Sequence, residues 1–136
     1  MTARAAAAVG LALLAAPASA GPGVPGADYF RGLYERVGRE GGDRPRLFDD
    51  HVRIVPDGTN LSVTSCDAPP LRLVFDPWSE IVNLLAGEDA DGPLWCLFHN
   101  NGDNYPILTC RSAAGGAWTL WPVEDGFSDA PLDCGG

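Results

Sequence analysis

The stretch from Val52 to Ser65 constrains the fold more than any other part of the chain. Asp57-Gly58 reads as a two-residue hairpin turn of the primed type, which needs positive φ and so favours glycine. That loop sets Pro56 opposite Thr59, Ile54 opposite Leu61 and Val52 opposite Val63. The last four of these residues form one apolar face. His51, Arg53, Val55, Asn60, Ser62 and Thr64 form the other, which is mostly polar. One oily face and one wet face are what an antiparallel sheet over a core requires.

A second hairpin is expected from Leu94 to Thr109 around Asn101-Gly102. Phe98 would oppose Tyr105, Cys96 would oppose Ile107 and Leu94 would oppose Thr109. Its other face carries Trp95, Leu97, Leu108 and Cys110, so this strand pair needs cover on both sides. The C-terminal tail or a folded-over sheet would supply it.

Leu71, Leu73 and Phe75 alternate with Arg72 and Val74 and read as a further strand. Trp118 to Trp121, after the Gly115-Gly116 turn, reads as the last one. Gly32 to Gly38 reads as the first, although Tyr29, Phe30, Leu33, Tyr34 and Val37 also fit a helical stripe. Asp76 to Gly87 carries conflicting signals. Asp76 at the N-cap, Pro77 at N1 and Gly87 at C′ favour a helix, whereas Glu80 to Ala86 alone reads as a buried strand. The helix keeps the local capping consistent and is the expectation. The fold class is therefore mainly β: a small antiparallel meander of six to eight strands closing as a barrel, with room for one short helix near 77–86. A two-sheet sandwich is the alternative.

The first twenty residues read as an export signal: a charge at Arg4, an apolar run from Ala5 to Ala16, and the small-x-small site Ala18-Ser19-Ala20. Residues 21–26 follow as a Pro/Gly spacer, and 27–136 as a single domain. No later segment is long and apolar enough to cross a membrane as a helix, so no membrane anchor is expected after cleavage. The expected location is periplasmic or secreted.

Cys66, Cys96, Cys110 and Cys134 all lie in the exported part, and an even count there implies two disulfides. The shortest gap between successive cysteines, fourteen positions, does not suit a metal site. In the Asn101-Gly102 register, Cys96 and Cys110 point to opposite faces. That disfavours joining them and leaves two pairings. Cover of Trp95, Leu97 and Leu108 by the tail favours Cys66–Cys96 with Cys110–Cys134 over Cys66–Cys110 with Cys96–Cys134.

Loss of the leader leaves eight Arg and no Lys against eighteen Asp and Glu, a net charge of about −10. That balance excludes nucleic acid and anionic membrane surfaces, which need a cationic footprint. It permits a basic protein partner without requiring one.

The sequence shows no Gly-x-Ser-x-Gly nucleophile turn, no His-Glu-x-x-His metal helix and no glycine-rich phosphate loop, so no catalytic residue, metal or cofactor is assigned. His51 follows Asp49-Asp50 on the polar face of the first hairpin and reads as exposed. Glu88-Asp89-Ala90-Asp91-Gly92 resembles part of a calcium loop. Gly87 stands where the first ligand should be and Phe98 where the closing Glu should be, which leaves a solvated acidic turn. The candidate binding residues are Trp118, Trp121, Tyr105 and His99. Trp118 and Trp121, three apart, point to opposite faces of a strand, so at most one lines the core. Tyr105 and His99 flank the polar loop 100–104.

The order Ser112-Ala113-Ala114-Gly115-Gly116, Trp118, Trp121, Cys134 loosely resembles the end of the periplasmic inhibitors of c-type lysozyme. Those are small exported barrels with a Ser-Gly-x-x-Tyr loop, a Trp-containing strand and a C-terminal Cys. Here glycine does not follow the serine and the tyrosine is missing, so the resemblance assigns no family. The functional expectation is a non-enzymatic, exported binding module, inhibitor-like or otherwise protein-binding. The alternative is a small barrel that carries an apolar ligand, and a hydrolase around His51 or His99 is a distant third. A cavity inside the barrel would separate the first two.

Overall fold

The computed structural model describes residues 25–75, 84–100, 105–123 and 131–135. The expected leader, most of the spacer, residues 77–83 of the expected helix and the Asn101-Gly102 turn lie outside the described residues.

A single 3₁₀ turn, Ala27–Phe30, precedes eight strands: β1 (Gly32–Arg39), β2 (Leu47–Asp57), β3 (Asn60–Thr64), β4 (Leu71–Phe75), β5 (Leu84–Asp89), β6 (Gly92–Asn100), β7 (Pro106–Ser112) and β8 (Ala117–Pro122). Each strand pairs antiparallel with the next, and β8 returns to β1, so the meander closes as a barrel. Closure removes the exposed edges that an open sheet of this composition would leave. Glycine makes the seam possible at one point. Gly38 (φ +148°) pairs with Trp118, and a Cβ there would fall on the Ala117 carbonyl oxygen and within 2.7 Å of the Trp118 Cβ.

Up-and-down connectivity sorts the connections into two ends. The β1–β2, β3–β4, β5–β6 and β7–β8 connections gather at one end, the mouth. The β2–β3 turn, the start of β7 and the end of β8 lie at the other, the closed end. The 3₁₀ turn shuts the closed end by placing Phe30, fully buried, among Tyr29, Phe75 and Phe98, with ring centroids 4.9–5.9 Å apart. The Tyr34 hydroxyl donates to the Phe30 carbonyl oxygen at 2.7 Å. Burial, with Tyr29 nearby, pushes the Tyr34 phenol well above its ordinary range and keeps it a donor.

The inward faces follow the alternation read from the first hairpin. Val52, Ile54, Leu61 and Val63 all line the core. Their register is shifted, with Ile54 opposite Val63 and Pro56 opposite Leu61, and the turn falls on Gly58-Thr59. A shift of two positions moves partners and leaves every side chain on its face.

The second hairpin is shifted by three positions, and that changes its chemistry. Phe98 opposes Leu108, Cys96 opposes Cys110 and Asn100 opposes Pro106. The odd shift turns Leu108 and Cys110 inward and joins the two cysteines that the tight turn kept apart. The disulfides are Cys96–Cys110 and Cys66–Cys134, which corrects the expected pairing. The expected apolar outer cover is corrected with it. Only Trp95 and Leu97 of that set remain outside, at 40% and 43% exposure.

The expected helix is corrected at its C-terminal end. Leu84, Leu85 and Ala86 belong to β5, where Leu85 pairs with Phe75 on one side and Cys96 on the other. Ladder pairing on both sides outweighs the local capping signal there.

Candidate functional site

An eight-stranded barrel is just wide enough for side chains to fill it or for one small ligand to sit inside. Here the closed end is filled and the mouth end is not. A cavity of about 410 Å³ opens at the mouth. Its wall is built from inward positions: Val63 on β3, Leu71 and Leu73 on β4, the Cys96–Cys110 disulfide across β6 and β7, and Trp118 and Leu120 on β8. Phe48 on β2 stands edge-on to Trp118, with centroids 5.7 Å apart.

Charged residues also take inward positions in this half, two of them on adjacent strands. Arg36 on β1 and Asp50 on β2 are direct cross-strand partners, and both share the face of Tyr34 and Val52. The Arg36 Nε donates to Asp50 Oδ1 at 2.7 Å, and its Nη2 donates to Oδ2. The guanidinium also lies 3.9 Å from the Phe48 ring centroid. The Arg36 side chain is only 12% exposed, so the fork–fork geometry offsets a desolvation cost more than it adds stability.

Outward from this pair, the mouth loops are tied together by charge. Arg46 reaches Asp67 at 2.7 Å and Glu40 at 2.8 Å, and Asp67 lies 3.7 Å from Arg36. Burial works to raise the Asp67 carboxyl, but Arg46 and Arg36 outweigh it and hold it below the usual carboxylate range. The hydrogen bond from Arg46 to Glu40, with Asp67 nearby, raises Arg46 further. Asp67 follows Cys66, whose disulfide to Cys134 brings the chain's tail back from the closed end, where β8 finishes, to the mouth.

The opposite lip is the acidic turn. Asp89 pairs with Gly92 around Ala90-Asp91, and the Asp91 N–H donates to Asp89 Oδ1 at 2.8 Å. That bond and the positive φ of Gly92 explain the turn by ordinary turn chemistry. Among the described residues, no group of three or more His, Cys, Asp or Glu side chains is arranged to hold a metal ion.

The four candidate binding residues are not brought together. Trp118 lines the cavity and is 9% exposed, whereas Trp121 faces out from the barrel wall at 48%. Tyr105 lies half-buried at the closed end, in a shallow recess beside Tyr29 and Pro122. His99 is exposed and pairs with Ile107 on β7, and His51 is exposed on β2. Neither histidine lines the cavity.

Arg36, Phe48, Asp50, Arg46 and Asp67 were not singled out by the sequence reading. A usable signal was present for two of them. Asp50 continues the inward parity of Val52 and Ile54, and Arg36 continues that of Tyr34. A charge at an inward position is an unexpected cost unless it has a partner or a ligand-facing role. In comparison with known proteins, the chain matches no family model, no curated protein and no solved structure.

Proposed function

We propose that this chain is an exported, non-enzymatic binding protein that carries a small, largely apolar molecule in the lumen of its barrel. The observation that carries the reading is the cavity of about 410 Å³, within the range of roughly 300–1,000 Å³ typical of small-molecule sites. Phe30 fills the closed end of the barrel, and loops held by ion pairs bound the cavity at the mouth. Deep in the wall the lining is aliphatic, aromatic and disulfide. Water there finds few polar partners and is readily displaced. Two disulfides suit an oxidising compartment outside the cytosol and support the export expectation.

The test is binding of the neutral fluorophore N-phenyl-1-naphthylamine to the full chain. The expected result is one molecule per barrel, with loss of binding in Leu71→Trp or Ala68→Trp, which fill the lumen or its entrance. Binding that survives both substitutions while each variant remains folded would place the probe elsewhere and sink the reading.

A second reading has its own observation. Trp95, Leu97 and Trp121 stand exposed on the outer wall, in a strongly acidic chain. Aromatic anchors with electrostatic steering fit a basic protein partner. Association with such a partner should slow as salt rises, and a salt-independent on-rate would leave only an apolar contact.

A further inference from the structure

The charge layout at the mouth points to the class of molecule the lumen takes. The two cations at the cavity are already engaged. Arg36 is held by Asp50 and covered by Phe48, and Arg46 is held by Asp67 and Glu40. All of this neutralisation lies on the side of the mouth built from β1, β2 and the β3–β4 connection. Across the opening, Glu88, Asp89 and Asp91 line the cavity entrance and form no ion pair with any described residue. The entrance therefore has one side where two guanidiniums are paired with three carboxylates and another side where the carboxylates are unpaired, above an apolar floor.

We infer that the lumen ligand is a cationic amphiphile, with its apolar body against Trp118, Leu73 and the Cys96–Cys110 bridge and its positive head at the Glu88–Asp91 lip. The inference rests on the carrier reading and adds the charge of the ligand to it. An anionic head would meet this lip as a like charge, and to reach Arg36 it would have to displace Asp50 from a two-point hydrogen bond. A neutral molecule gains the apolar burial but nothing from the lip. A cationic head gains both, because charges beside a low-dielectric wall interact more strongly than in open water.

The experiment uses the full chain and three ligands with one tail: decyltrimethylammonium, 1-decanol and decanoate. Each is kept below its micelle-forming concentration and measured by displacement of N-phenyl-1-naphthylamine. The expected order is decyltrimethylammonium first, by roughly tenfold over decanol, with decanoate weakest. The advantage of the cation should shrink as salt rises. In Asp89→Asn/Asp91→Asn, the cation and the alcohol should bind about equally, with decanol unchanged. Asparagine keeps the side-chain oxygen that accepts the Asp91 N–H, and Glu88→Gln provides a second variant outside the turn's own hydrogen bond. If the alcohol or the carboxylate displaces the probe as well as the cation does, the charge inference fails while the carrier reading stands. If none of the three displaces a probe whose binding Leu71→Trp abolishes, the charge inference likewise fails while the carrier reading stands; if the probe does not bind, the carrier reading fails and this inference falls with it.

Discussion

The two ends of the barrel are framed by the same strands and differ in what points inward. At the closed end the inward residues are Tyr34, Val52, Ile54 and Phe98, all buried, and Phe30 drops between them from the 3₁₀ turn. At the mouth the same strands turn Arg36, Gly38, Phe48 and Asp50 inward. A charged pair cannot be packed as tightly as aliphatic side chains without losing its hydrogen bonds, and a glycine contributes no volume. One half of the barrel is therefore a core and the other a cavity.

The largest expected effect tests the filled end. Phe30→Ala should cost about 3–5 kcal/mol in denaturant unfolding, because it leaves a void among Tyr29, Phe75 and Phe98. A loss below about 1 kcal/mol would mean that the closed end is not a packed core. Replacing Cys96 and Cys110 together by Ala should cost about 3 kcal/mol in the chain-entropy model, for a bridge spanning 14 positions. Non-reducing peptide mapping checks the pairing directly, and a Cys66–Cys96 peptide would overturn the register of β6 on β7.

A smaller effect is expected from the aromatic at the mouth. Trp118→Ala should cost about 2 kcal/mol, below the usual range for so large a truncation, because the space it vacates joins a cavity that already opens to water. Equal losses for Phe30→Ala and Trp118→Ala would erase the contrast between the two ends.

The smallest effect concerns the loop clasp. Folding lowers the Asp67 carboxyl, so its contribution is fully present above the ordinary Asp value of about 3.9 and is lost as pH falls through the lowered folded value. The carboxylate is more than a third exposed, which limits the contribution to less than about 1 kcal/mol. Asp67→Asn should lower stability slightly at neutral pH and flatten the acid limb below about pH 4, as followed by thermal melts. An unchanged acid limb would show that Asp67 is not coupled to the fold.

Much of the architecture was legible because alternation is a local property. The strand faces at Val52–Ile54, Leu61–Val63 and Leu71–Phe75, and the opposite directions of Trp118 and Trp121, follow from period two alone. They survive even a misplaced turn, as the first hairpin shows. The candidate site was less legible. Trp118 was found, but Arg36, Phe48, Asp50 and Asp67 were not, because a cavity depends on what eight strands fail to fill together. Trp121, Tyr105 and His99 were flagged by residue type, and the fold disperses them over the outer wall and the closed end.

By itself the sequence determined an antiparallel, disulfide-bonded meander and which side chains share a face in its tightest hairpin, since each of these depends on neighbours a few positions apart. The expected closing of the meander as a barrel is met by β8 on β1, whereas only the tertiary structure decided the disulfide partners and the position of the empty half. The register of β6 on β7 is the clearest case. Five residues, 101–105, separate Asn100 from its partner Pro106. That odd number sets the parity of every residue beyond it, turning Cys110 toward Cys96 and Leu108 into the core. Leu108 then pairs with Leu120 on β8, a long-range partner that the Asn101-Gly102 dipeptide does not encode.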